Sequence, residues 1–115
     1  MELWHNPRCS KSRAAKALLD ESGVAYRERR YLDEPPTARE LDAVLTALSM
    51  QPWDLARLGE PVARELGLRD WPRDRGRWVE AMAEHPALIE RPILVTGNGR
   101  AALGRPPEAI TALLA

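Results

Sequence analysis

Trp4-His5-Asn6-Pro7-Arg8-Cys9-Ser10-Lys11-Ser12-Arg13 carries the only cysteine of the chain at a change from strand to helix. Upstream, Glu2 to His5 reads as a short strand that Asn6-Pro7 breaks. Downstream, from Lys11 to Ser22, Ala14, Ala15, Leu18 and Leu19 fall on one helical face, and Gly23 fits the C-terminal cap. Cys9 is thereby set just before a helix, where unpaired backbone N–H groups favour an oxyanion. His5, Arg8, Lys11 and Arg13 stand within four residues of the thiol, and each is expected to lower its pKa. A nucleophilic thiolate beside an anion cradle points to attack on an oxyanion.

Outward from that turn, strand-like and helix-like segments alternate, without repeats or low-complexity tracts. Val24 to Leu32, with Arg27 to Arg30 all charged, reads as a strand at an open sheet edge. Thr37 and Glu40 after Pro35-Pro36 form a capping-box pattern, and Leu41, Val44, Leu45 and Leu48 follow at helical spacing. Pro52, Pro61 and Pro72 then leave room only for brief helices, from about Trp53 to Leu58 and Val62 to Leu66. A helix from Asp74 to Glu84 ends before Pro86, closing a helical insertion over about residues 37–85. Pro92 to Thr96 is a buried strand, Gly97-Asn98-Gly99 a tight turn, and Arg100 to Gly104 the returning strand of a hairpin. Pro106 to Leu114 is the last helix, with Ile110, Leu113 and Leu114 inward. The predicted order is strand, helix, strand, helices, strand, strand, helix.

At 115 residues and 44% apolar, the chain is long enough for one core and is expected to form a single domain over 1–115. Seventeen basic residues balance seventeen acidic ones, so no global field attracts nucleic acid or anionic lipid, and neither is expected as a partner. The apolar run from Ala109 to Ala115 is too short to cross a bilayer, and the polar N-terminus lacks a signal peptide's apolar stretch. A cytoplasmic location and a monomer are expected. A single cysteine cannot close an internal disulfide, so any disulfide in a reaction cycle must form with another molecule. Two histidines eighty residues apart and one cysteine give no metal-ligand spacing, and no metal or bound cofactor is expected.

Strand order and cysteine position together give the thioredoxin-like layout, and longer motifs narrow it. His5 to Arg13, Tyr31-Leu32 with Pro35-Pro36-Thr37, His85-Pro86 with Glu90-Arg91-Pro92-Ile93, and Gly104-Arg105-Pro106-Pro107-Glu108 resemble the glutaredoxin-dependent arsenate reductases, the ArsC-like family, almost end to end. The resemblance implies an α/β, thioredoxin-like three-layer fold with a small mixed sheet and the helical insertion between its second and third strands. It implies reduction of arsenate to arsenite, with glutathione as co-substrate and glutaredoxin as partner. Carried over by position, Cys9 matches the nucleophile, His5 the neighbour that lowers its pKa, and Ser12 a hydroxyl near the thiolate. Arg57, Arg91 and Arg105 match the arginines that hold the oxyanion, with Ser10 and Lys11 also at the substrate site, and Pro92 should follow a cis peptide bond.

The chemistry agrees with that likeness on its own terms. Arsenate is an anion, so thiolate attack needs guanidinium forks to neutralise its oxygens. Reduction takes two electrons and hence two thiols, of which this chain supplies one. Two other readings stay open at this point. A redox-sensing regulator of the Spx type shares the layout but carries a Cys-x-x-Cys pair where this chain has Ser12. A glutathione-dependent thiol reductase would act on disulfides and would not need three arginines near the thiol.

Overall fold

The strand richest in charge lies at an edge of the sheet. β1 (Glu2–Trp4) pairs parallel with β2 (Arg27–Arg29) and antiparallel with β3 (Ile93–Val95), which pairs antiparallel with β4 (Ala101–Leu103); the order is β2-β1-β3-β4. This computed structural model describes residues 1–114, so Ala115, the end of the apolar run, lies outside the described residues. The chain divides into two compact units, one made of Met1–Glu34 with the segment from Arg91 onward, the other of Pro35–Glu90.

In the first unit, alternation along the strands sends Leu3 and its register partner Leu94 to one face of the sheet. There they pack with Ala15 and Leu19 of α1 (Ser10–Ser22) and Ile110 of α6 (Glu108–Leu113), all fully buried. Trp4 and Ile93 take the other face and are buried as well. Arg29 joins them, its guanidinium 5.5 Å from the Trp4 ring and its Nη1 donating to Glu2 Oε1 at 3.1 Å. A charged residue is thus buried on the edge strand because a carboxylate on the neighbouring strand meets it.

α1 ends as expected, with Gly23 in the left-handed region at φ 72°. Its buried stripe differs from the expected one: Ser12, Ala15 and Leu19 are buried, while Leu18 is half-buried and Ala14 exposed. Hydrophobicity alone favoured Ala14, but a serine whose hydroxyl is bonded can occupy the inner face. The last helix begins at Glu108 rather than Pro106, since the two prolines form the turn before it. The hairpin turn is as read, with Gly99 at φ 79° and Thr96 N–H donating to Arg100 O at 2.9 Å.

In the second unit, α2 (Ala38–Leu48) carries the capping box, Thr37 Oγ1 accepting from Glu40 N–H and Glu40 Oε1 from Thr37 N–H. It buries Leu41, Val44 and Leu45 and packs on α5 (Arg75–Glu84), which Asp74 caps. Between them, α3 (Pro52–Leu55) stops short of the expected Leu58. Ala56 turns extended there and pairs with Ile89, so this segment becomes a bridge instead of helix. α4 spans Pro61–Leu66, with proline in its first turn, where no N–H is required. Short 3₁₀ turns at Leu68–Asp70 and Pro86–Leu88 were not legible in the sequence.

Candidate active site

The loop between β1 and α1 is fixed before any side chain acts. Cys9 N–H donates to Asn6 O and Arg8 N–H to Asn6 Oδ1, each at 3.0 Å, so Asn6 folds the chain back. Cys9 is the N-cap of α1, in extended conformation and without a side-chain cap. The first helical turn carries no acidic residue, which leaves the N–H groups of Ser10, Lys11 and Ser12 without local competition from a carboxylate. Ser10 and Lys11 themselves have exposed side chains.

Two segments from the far end of the chain meet this loop. Arg91 and Arg105 each precede a proline, and both peptide bonds are cis; the second was not anticipated. Gly104 N–H donates to Pro92 O at 2.8 Å, drawing the two segments together. A Cβ on Gly104 would lie 2.7 Å from Pro92 Cγ and 2.9 Å from Ile110 Cδ1, so only glycine allows this approach. The next residue, Arg105, donates from Nε to Arg91 O at 2.8 Å and from Nη2 to Cys9 Sγ at 3.6 Å. The guanidinium is therefore oriented by one contact and aimed by the other.

Burial pushes the Cys9 thiol up, but the Ser12 N–H, the Arg91 side chain and the Lys11 N–H more than reverse this, and the thiol sits below its ordinary value. The lowering comes from backbone N–H groups and from arginine distant in sequence. Arg13, expected to act on the thiol directly, instead donates from Nη1 to Pro7 O at 3.0 Å. His5 is buried, and that burial lowers its own pKa, so at neutral pH it is an uncharged ring. Its Nδ1 lies 2.7 Å from Ser12 Oγ, which also accepts from Asn6 N–H at 3.0 Å. The structure thus ties His5 to Ser12, and Ser12 reaches the sulfur by its backbone while its hydroxyl holds the loop.

Arg57 belongs to the second unit and is held differently. Its N–H donates to Leu88 O at 2.7 Å beside the Ala56–Ile89 bridge, which places its side chain against the next strand-like residue, Glu90. Nη1 meets Glu90 Oε1 at 2.6 Å and Nε meets Glu60 Oε1 at 3.1 Å. Neither glutamate was given a role from the sequence, although Glu90 stands in the Glu90-Arg91-Pro92-Ile93 motif and Glu60 lies at i+3 from Arg57. Burial works against the Arg57 charge, and the two carboxylates outweigh it and raise its pKa. Among the described residues no group of three or more His, Cys, Asp or Glu is placed to hold a metal ion, and no helix is long and apolar enough to cross a membrane.

Comparison with known proteins fits this geometry. Residues 4–113 match the ArsC family. The chain is 45% identical over 115 residues to an arsenate reductase of Neisseria meningitidis, covering 99% of this chain and 97% of that one. It is 41% identical over 111 residues to the uncharacterized protein YfgD of Escherichia coli, covering 96% and 92%. The solved arsenate reductase from Vibrio cholerae superposes with a TM-score of 0.90 at 41% identity and 97% coverage of both chains. The mixed four-stranded sheet with its helices is the α/β, thioredoxin-like fold of those neighbours. The chain belongs to the ArsC family.

Proposed function

We propose that this ArsC family member is an arsenate reductase in which Cys9 is the nucleophile. The observation that carries the reading is the Arg105 Nη2 contact with Cys9 Sγ at 3.6 Å, with the Arg91 side chain lowering the same thiol. A guanidinium beside a thiolate both stabilises the nucleophile and offers a planar pair of donors to the oxygens of an incoming tetrahedral anion. Arsenate reductases among the relatives support the same substrate.

The thiolate attacks arsenic, an As–S bond forms, and one oxygen leaves as water. Glutathione then attacks the Cys9 sulfur of the adduct; the As–S electron pair passes to arsenic, arsenite departs, and Cys9 is left in a mixed disulfide with glutathione. Glutaredoxin accepts the glutathionyl group by thiol exchange and restores the thiolate. Donors aimed at the oxygen that leaves accelerate the step, whereas those holding oxygens shared by substrate and transition state lower KM. We assign the first task to the N–H groups of Ser10, Lys11 and Ser12 together with Arg105, and the second to Arg91; for Arg57 the family resemblance is the only support. His5 acts through Ser12 as a positioning residue. A reducing cytoplasm suits an enzyme whose only thiol must be regenerated each cycle.

NADPH oxidation that depends on arsenate, followed with glutathione, glutaredoxin and glutathione reductase, tests the proposal. Turnover is expected in the complete mixture and none when glutathione is omitted. Sustained turnover with thioredoxin as the only thiol source would overturn the donor assignment. Reduction of a disulfide substrate without any arsenate-dependent oxidation would replace it with the thiol-reductase reading.

A further inference from the structure

The second unit carries a cluster that the thiol chemistry does not use. Three of the four tryptophans of the chain, Trp53, Trp71 and Trp78, gather on it edge to face, with ring centroids 5.9 Å apart for Trp53 and Trp78 and 6.2 Å for Trp71 and Trp78. Trp78 is the buried member, and its Nε1 donates to Pro72 O at 2.9 Å, as a core indole should. Trp71 donates to Leu66 O at the same distance but stays half-buried. Trp53 is also half-buried, and its Nε1 has no acceptor among the described residues. The cluster is therefore more than a core. Its outer members line an open cleft of about 270 Å³ that they share with Arg69, Arg73 and Asp54.

The cleft lining holds two arginines, Arg69 and Arg73, against one carboxylate, Asp54. The Arg73 guanidinium lies 5.5 Å from the Trp53 ring and that of Arg77 lies 4.0 Å from Trp71. The guanidinium groups of Arg69, Arg73 and Arg77 are exposed and form no ion pair among the described residues. Elsewhere in the same unit Arg57 and Arg75 are both matched by carboxylates. Asp54, the carboxylate lining the cleft, already accepts from Gln51 N–H at 3.1 Å. An arginine stacked on an indole keeps its N–H edge free for a carboxylate while its stem covers apolar surface. Tryptophan and arginine together are also the residue types that dominate binding energy at protein interfaces. The cleft is smaller than the ~300–1,000 Å³ of typical small-molecule sites, so inserted side chains suit it better than a free ligand.

We propose that this Trp/Arg cleft docks an acidic segment of a partner protein, one aromatic or long aliphatic side chain entering between Trp53 and Trp71 while flanking carboxylates pair with Arg69, Arg73 and Arg77. The proposal stands apart from the Cys9 chemistry. To test it, the full chain is titrated with a short peptide of Asp and Glu around one Phe, with its Asn/Gln counterpart, with a Lys counterpart and with a single-stranded DNA oligomer. Tryptophan fluorescence and the Trp53 indole N–H resonance report binding. The acidic peptide should bind and shift that resonance, with the neutral one about tenfold weaker or more. Arg69→Glu with Arg73→Glu should weaken the acidic peptide by about tenfold or more, while arsenate turnover stays within about twofold. Trp53→Leu should weaken it several-fold with all charges kept. Equal binding of the neutral peptide, unchanged affinity in the charge-reversed variant, no binding of any peptide, or tighter binding of the DNA would each overturn the proposal. Retained turnover in the variants shows that the fold is intact.

Discussion

Arg105 and Arg57 are the same side chain in opposite circumstances. Arg105 faces a sulfur, with one nitrogen on a backbone carbonyl and another 3.6 Å from Cys9. Arg57 faces two carboxylates, at 2.6 Å and 3.1 Å. In the proposed reaction a guanidinium beside the thiolate is ready to receive an anion, because the sulfur gives up its charge as the substrate binds covalently. One gripped by Glu60 and Glu90 would have to loosen an ion pair before it could hold any anion. Sequence motifs group these arginines together, and the difference lies wholly in what stands opposite them.

The largest effect expected on either side of this contrast is at the sulfur itself. Cys9→Ser should remove arsenate-dependent NADPH oxidation altogether, since a serine hydroxyl can neither ionise here nor form a reducible bond to a second thiol. Next come the arginines of the first unit. Arg105→Lys and Arg91→Lys keep the charge and lose the fork, so kcat/KM for arsenate should fall roughly ten- to hundredfold, or about 1.5–3 kcal/mol per charged hydrogen bond lost. Unfolding midpoints should barely move, and near-normal kinetics in both would remove the oxyanion role.

Ser12→Ala should act on the fold more than on the chemistry. It leaves His5 Nδ1 and Asn6 N–H without the hydroxyl that meets both, at a cost of about 1–3 kcal/mol in denaturant unfolding, with part of the turnover kept. Thiol titration gives a further check. The Cys9 midpoint should lie below the ~8.5 of free cysteine and rise toward it in Arg91→Met. Because the folded pKa is the lower one, the linked stability is fully present above the unfolded value and is lost as pH falls through the folded midpoint. A midpoint at the free-cysteine value in the unaltered protein would contradict the activated thiol.

The smallest effect sharpens the comparison most. Glu90→Gln releases one carboxylate from a partly exposed pair, a change of about 1 kcal/mol or less. If Arg57 holds an oxygen of arsenate, as the family resemblance implies, KM should then drop a few-fold, because Arg57 no longer has to loosen that contact. An unchanged KM would restrict the oxyanion site to Arg91 and Arg105.

Local signals placed most of the scaffold. The capping box at Thr37, Gly23 beyond α1 and the glycine turn of the hairpin are each set by a few neighbouring residues, and all stand where the sequence put them; α5 begins one residue later than read, with Asp74 as its cap. Cys9 was legible for the same reason, as a helix start is local. What was missed depends on distant pairing. α3 gives way at Ala56 because Ile89 competes for its backbone, and no window around Ala56 contains that partner. The inward turn of Ser12 requires His5 and Asn6 to bond its hydroxyl. The flanking cations were also misleading, since proximity in sequence does not aim a side chain: Arg13 turns to Pro7, while Arg105 arrives from the other end of the chain.

Gly104 imposes a limit on how this protein can be varied. A library randomised from Leu103 to Arg105 would admit many residues at the first position, since Leu103 is only half-buried. At Gly104, selection for a folded chain alone should return glycine, even without any demand for activity, because the smallest side chain already meets Pro92 and Ile110 below 3.0 Å. Neutral drift therefore cannot reach Arg105 by reshaping the residue before it, and the guanidinium that faces the thiol is inherited together with the packing that carries it.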